Sequence, residues 1–188
     1  MSRGLPHHVV AELARARGGY VAKERQMDSG EYVQTVHFPD HVSKIGFFAD
    51  LAREYAKEQE IQAVARSIVG QSRDRSRIGR IVAIHSWVRD NITHIGEPIE
   101  TVPDPVQMTF DGCGDCDDSA VLLSALLMAI GERAGLGYLG TPPRHAAACV
   151  ELDGQWYWLE TTIDAVAGEH PLDAAERLGI QARKDLTG

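Results

Sequence analysis

The sequence predicts an α+β domain in which a central helix carrying a cysteine packs on an antiparallel β-sheet, preceded by a helical N-terminal half. Three observations lead there. Helical periodicities crowd the first half of the chain and strand signals follow them, an order that disfavours a parallel sheet. Residues 116–130 form a strongly apolar run of helical length that opens from a glycine-containing, aspartate-rich loop. Asp153-Gly154, set between two strand-like runs, is the strongest short-range hairpin signal.

The elements follow in order. Residues 6–17 read as a short helix ended by Gly18-Gly19. Residues 20–25 and 32–38 read as strands around an Asp28-Ser29-Gly30 turn. Three helical patterns come next: Ile45, Phe48, Leu51, Ala52 and Tyr55; then Ile61, Val64, Ala65 and Ile68; then Ile78, Ile81, Val82, His85, Val88 and Ile92. Residues 96–114, with Pro98, Pro103 and Pro105, predict a constrained, non-helical approach to the cysteine. After the apolar helix come glycines, the hairpin, and an amphipathic segment over residues 172–178. A chain of 188 residues suits one domain, here 1–188, with an N-terminal part over 1–75 and a chemical core over 76–188.

Composition narrows the function. Hydrophobic residues at 44% and charged ones at 24% are those of an ordinary globular domain. A net charge of −8 speaks against nucleic acid or an anionic membrane as partner, since both want a basic face. No run approaches the roughly 20 apolar residues of a membrane span, and no apolar leader follows Met1. Three cysteines cannot form a full disulfide framework, so free thiols and a reducing compartment are expected.

Cys116 stands at the start of the apolar helix, with Asp115 as a good N-cap and Asp118 completing a box-like arrangement. Free N–H groups and the helix dipole favour an anion there. A free thiol titrates near about 8.5 and needs such help to ionise at neutral pH. Asp115, Asp117 and Asp118 push the other way, so a cationic partner is required. The hairpin supplies one. A two-residue loop pairs Leu152 with Gln155, Val150 with Tyr157, Ala148 with Leu159 and Ala147 with Glu160. His145, Ala147, Trp158 and Glu160 then share a face, with His145 and Glu160 as diagonal neighbours. This predicts a nucleophile (Cys116), a base (His145) and an orienting acid (Glu160), the parts of a cysteine-dependent acyl-transfer enzyme acting on an amide or ester carbonyl. The backbone N–H of Cys116 would meet the oxyanion, with Gln107, Asp115 and Trp158 as further oxyanion or substrate-binding residues. No cofactor is implied.

These residues resemble the transglutaminase-like family of the papain-like thiol superfamily. The matching parts are Gly114-Asp115-Cys116-Asp117-Asp118 with the helix after it, His145 opening a strand, and Trp158-Leu159-Glu160-Thr161. The resemblance implies a papain-like core over about residues 84–164, with the same three residues in those roles. Val88-Arg89-Asp90-Asn91-Ile92 and Pro103-Asp104-Pro105 are similar to members encoded among bacteriophage and prophage genes. That implies phage structural proteins as partners, in a bacterial cytoplasm or a virion. Two departures leave substrate preference open: the acid, more often Asp, is Glu160, and the family's aromatic residue after the histidine is replaced by Ala146-Ala147-Ala148.

Competing readings are a zinc site from Cys113, Cys116, His145 and Cys149, a Cys113–Cys116 redox pair, and a non-catalytic virion or assembly protein. Zinc requires Cys149, about 13 Å along the strand from His145, to turn back sharply. His7, His8, His37, His41, His94 and His170 lack partners at informative spacing, and His85 reads as a satisfied core histidine. Trp87, Trp156 and Trp158 read as core or cleft wall, and Arg73, Arg75, Arg77 and Arg80 as a solvated helix start.

Overall fold

The computed structural model describes residues 5–26, 32–96, 102, 104–140 and 145–180. In chain order these form α1 (His7–Ala16), β1 (Tyr20–Gln26), β2 (Tyr32–His37), α2 (His41–Tyr55), α3 (Gln59–Gln71), α4 (Arg77–Asn91), β3 (Thr93–His94), α5 (Pro105–Asp111), β4 (Cys113–Gly114), α6 (Cys116–Ala129), β5 (Ala134–Leu139), β6 (His145–Leu152), β7 (Gln155–Leu159) and α7 (Pro171–Arg177). The Asp28-Ser29-Gly30 turn, Pro98 and Pro103 lie outside the described residues.

The architecture is α+β, as predicted. Helix α6 is the centre. One side packs on β5 and β6 of an antiparallel sheet of order β5-β6-β7, and α2, α3, α4 and α5 pack around it. A helix apolar all round its circumference is stable only when covered all round. Val121, Leu122, Leu123, Ala125, Leu126 and Leu127 are fully buried in one hydrophobic core that runs from Val10 in α1 to Leu159 in β7. The buried hydroxyl of Ser124 donates to the Gly135 carbonyl of β5 at 2.9 Å, so the helix's polar interior residue is satisfied by the sheet edge it faces.

The start of α6 is built as expected. The Asp115 side chain accepts from the Asp118 N–H and the Asp118 side chain accepts from the Asp115 N–H, both at 3.0 Å. This reciprocal capping box fixes where the helix begins and hence where Cys116 lies. A short parallel ladder pairs Thr93 with Cys113 and His94 with Gly114, tying the approach strand β4 to the end of α4 through β3. The β6–β7 register is the predicted one, Leu152 with Gln155, Val150 with Tyr157 and Ala148 with Leu159. Asp153 at φ 52° and Gly154 at φ 83° give the two left-handed residues that a type I′ turn requires. The ladder ends at Leu159, so Glu160 lies one residue beyond it rather than paired with Ala147.

Two expectations are corrected. Residues 96–114 are not helix-free: Pro105–Asp111 is helical. Asp104 caps it, accepting from the N–H groups of Val106 (3.0 Å) and Gln107 (3.1 Å); Pro105 takes the first position, where its missing N–H costs nothing; and Gly112 at φ 67° ends it. The proline opens a helix there rather than preventing one. The arginines at the start of α4 and just before it are also not merely solvated. Arg75 donates to the Val69 and Gly70 carbonyls at the end of α3, both at 2.8 Å, and Arg77 bonds the buried Glu132 at 2.8 Å.

Since Leu123 is fully buried in the core, Leu123→Ala is expected to lower unfolding free energy by about 2–5 kcal/mol, read from the midpoint of urea denaturation at unchanged slope.

Candidate active site

Cys116 is the first residue of α6 and is partly exposed; at that position its N–H has no acceptor within the helix. His145 is the first residue of β6, its side chain 12% exposed. Its Nε2 is hydrogen-bonded to Oε2 of Glu160, and the Cys116 sulfur lies close enough to the ring to help hold it charged. With Nε2 engaged by the carboxylate, Nδ1 is the nitrogen left for the sulfur. The three side chains singled out in the sequence therefore come together at one place.

Glu160 is 1% exposed, and a buried carboxylate demands partners. Its Oε1 accepts from the Thr162 N–H (2.6 Å) and hydroxyl (2.8 Å), leaving Oε2 for His145. Its main-chain carbonyl accepts from His85 Nε2 at 2.6 Å. His85 is the satisfied core histidine expected, and its partner is the backbone of the acid. Burial holds His85 below the ordinary imidazole value, so it stays a neutral donor. Arg89, one turn along α4, donates to the Ala165 carbonyl at 3.2 Å. Helix α4 thus grips the segment after β7 at two points.

The electrostatics are mutual. Burial pushes the Glu160 carboxyl up, but the bond and charge of His145, with Thr162, outweigh it and hold the group low. Burial likewise pulls the His145 imidazole down, and its bonds to Cys116 and Glu160 overcome that, raising it to about 10. The aspartates beside the sulfur are tied up rather than loose. Asp115 and Asp118 are locked in the capping box, and Asp117 pairs with Lys44 of α2 at 3.1 Å.

The remaining expectations resolve as follows. Gln107 is on α5, not on a loop, and its amide donates to Asp111 along that helix at 2.9 Å. Asp115 acts as the helix cap. Trp158 lies flat over Gly137, where an added Cβ would fall 2.3 Å from the indole, and meets His170 edge-on with ring centroids 5.4 Å apart. His170 also caps α7, its Nδ1 accepting from Leu172 N–H at 3.2 Å, and His37 stacks on Tyr20, so neither lacks a partner. Among the described residues no three His, Cys, Asp or Glu side chains gather as a metal would need, so the Cys113, Cys116, His145 and Cys149 set does not converge on one point. Cys149 is instead a thiol pushed up to about 11 by burial. Thr162 and Lys44 carry no reading in the sequence analysis, and Arg89 enters it only within residues 88–92. Only Thr162, a hydroxyl two residues after an acid, carries a local signal.

No curated protein matches the sequence. Among solved structures, the fold is similar to a candidate protease from Parabacteroides distasonis ATCC 8503 (16% identity, TM-score 0.52, covering 74% of this chain and 30% of that one). It is also similar to a candidate cysteine protease from Cytophaga hutchinsonii (18% identity, TM-score 0.50, 81% of this chain and 63% of that one). The chain spans less than two thirds of either structure. The core of the transglutaminase-like superfamily matches residues 62–161, more than half of the sequence and the whole of the Cys116–His145–Glu160 constellation; the chain belongs to the transglutaminase-like superfamily.

Proposed function

We propose that the protein is a cysteine-dependent hydrolase of amide bonds in proteins or peptides, with Cys116 as nucleophile, His145 as general acid and base, and Glu160 as the group that orients and charges His145. The observation that carries this reading is the convergence of a partly exposed sulfur at a helix start, an imidazole beside it, and a buried carboxylate hydrogen-bonded to that imidazole. An imidazole raised to about 10 is protonated at neutral pH and stabilises a thiolate beside it. The thiolate attacks the carbonyl carbon, and the displaced electron pair gathers on oxygen, which the Cys116 N–H meets. His145 gives its proton to the departing amine nitrogen as the carbon–nitrogen bond breaks, leaving a thioester. Water then adds to the thioester carbon while His145 takes its proton, and the thiolate leaves as the acid is released. An amine in place of water gives transfer by the same steps. The protease names carried by the two solved structures favour water as acceptor.

Intact-mass and peptide-mapping analysis of iodoacetamide labelling tests the assignment. Cys116 should react ahead of Cys113 and Cys149, and His145→Ala should slow it at least about tenfold at neutral pH, since the thiolate loses its cation. Equal labelling of Cys116 in both proteins refutes the reading.

The titration of His145 follows with a definite sign. Its value is raised in the folded state, so its contribution to stability is full below the ordinary imidazole value, about 6.5, and is lost as pH rises through about 10. Removing the carboxylate charge removes one cause of the rise. In Glu160→Gln the His145 ring resonances, followed by NMR, should titrate at least about one pH unit lower than in the parent protein. An unmoved midpoint would show that Glu160 does not charge the base.

A further inference from the structure

Cys116 begins a helix whose start is crowded with carboxylates, an arrangement that opposes a second negative charge. Asp115 and Asp118 direct their oxygens at each other's backbone N–H groups. Asp117, the immediate neighbour of the sulfur-bearing residue, is mostly buried and is met by the Lys44 ammonium at 3.1 Å. Lys44 is itself three-quarters buried and lies over the Phe48 ring, 5.3 Å from its centroid, so it is held in place rather than waving in solvent. It comes from α2, which lies outside the superfamily match at residues 62–161 and reaches the site only because α2 packs on α6.

We propose that Lys44 is a positioning residue for the nucleophile: its ion pair with Asp117 cancels the carboxylate flanking Cys116, so that the sulfur can be held as an anion beside His145. The proposal rests on the reading of Cys116 as nucleophile and adds to it a part contributed by the N-terminal helices. Among the described residues, the charged and titratable groups around this end of α6 include Asp115, Asp117 and Asp118 at the helix start, Cys113 on β4, His94 on β3 beside Gly114, Asp111 on α5 bonded to Gln107, and His145 of β6 with Glu160 and His85 behind it. Of the lysines and arginines among the described residues, Lys44 is the one that pairs with the aspartates at this helix start. His145 supplies positive charge on the sulfur side; Lys44 removes negative charge on the helix side.

The test is the pH dependence of Cys116 alkylation by iodoacetamide in the full chain. Lys44→Met keeps the apolar stem against Phe48 and deletes the charge. Its acid limb is expected to move up by about half to one pH unit, making labelling below the limb roughly 3- to 10-fold slower. Lys44→Arg should keep the original profile. Asp117→Asn should move the limb down, and the Lys44→Met/Asp117→Asn double variant should return close to the starting profile. An unmoved limb in Lys44→Met, or a double variant as slow as Lys44→Met alone, overturns the proposal. Should Lys44→Met fail to unfold cooperatively, Asp117→Asn decides by itself: a limb that does not move down overturns the role. Failure of the underlying assignment looks different, because then His145→Ala leaves Cys116 labelling untouched whatever stands at position 44.

Discussion

A carboxylate with almost no access to water organises this molecule. Glu160 can remain ionised at 1% exposure only because each of its polar atoms is answered: Oε1 by Thr162, Oε2 by His145, and the main-chain oxygen by His85. From that requirement the rest of the site follows. The imidazole facing a buried negative charge prefers to be positive, and the sulfur beside it is partly open to solvent. Breaking a buried pair of this kind by removing one partner typically costs about 3–5 kcal/mol, so stability and reactivity draw on the same bonds.

The second constraint is the character of α6. Its body is among the most apolar segments of the chain, while its first turn carries the partly exposed Cys116 and the buried Asp117, Asp118 and Ser119. The capping box reconciles the two by using Asp115 and Asp118 as local hydrogen-bond acceptors, so that little of their charge is free to act on the sulfur. Helix α2 then meets Asp117 with Lys44, and α4 braces the acid's segment through His85 and Arg89. Elements far apart in the chain thus each hold one piece of a small site.

What could be read in the sequence was whatever rests on local geometry. The Asp153-Gly154 turn sets the β6–β7 register without help from the rest of the fold, so the nearness of His145 and Glu160 follows from counting residues. The cap at Asp115 and the extent of the central helix are likewise written within a few positions. Helix α5 was misread because Pro105 was weighed as a breaker, although Asp104 before it and Gly112 after it are start and stop signals. Lys44, Arg77 and His170 were opaque for another reason. Their partners, Asp117, Glu132 and Trp158, lie on other elements, and no spacing rule connects an α2 lysine to the first turn of α6. His85 was readable as a buried histidine in need of a partner, but the identity of that partner depends on how α4 crosses the end of β7.

The rooting of Cys116 in the core helix has a mechanical corollary. Nothing flexible intervenes between the backbone of Cys116 and that of Val121 through Leu127, which share one helix with it. The thiol cannot drift without dragging the densest part of the interior along. Warming the protein should therefore leave the sulfur's environment intact until the whole interior gives way, so that chemical competence and the folded state vanish in a single cooperative step.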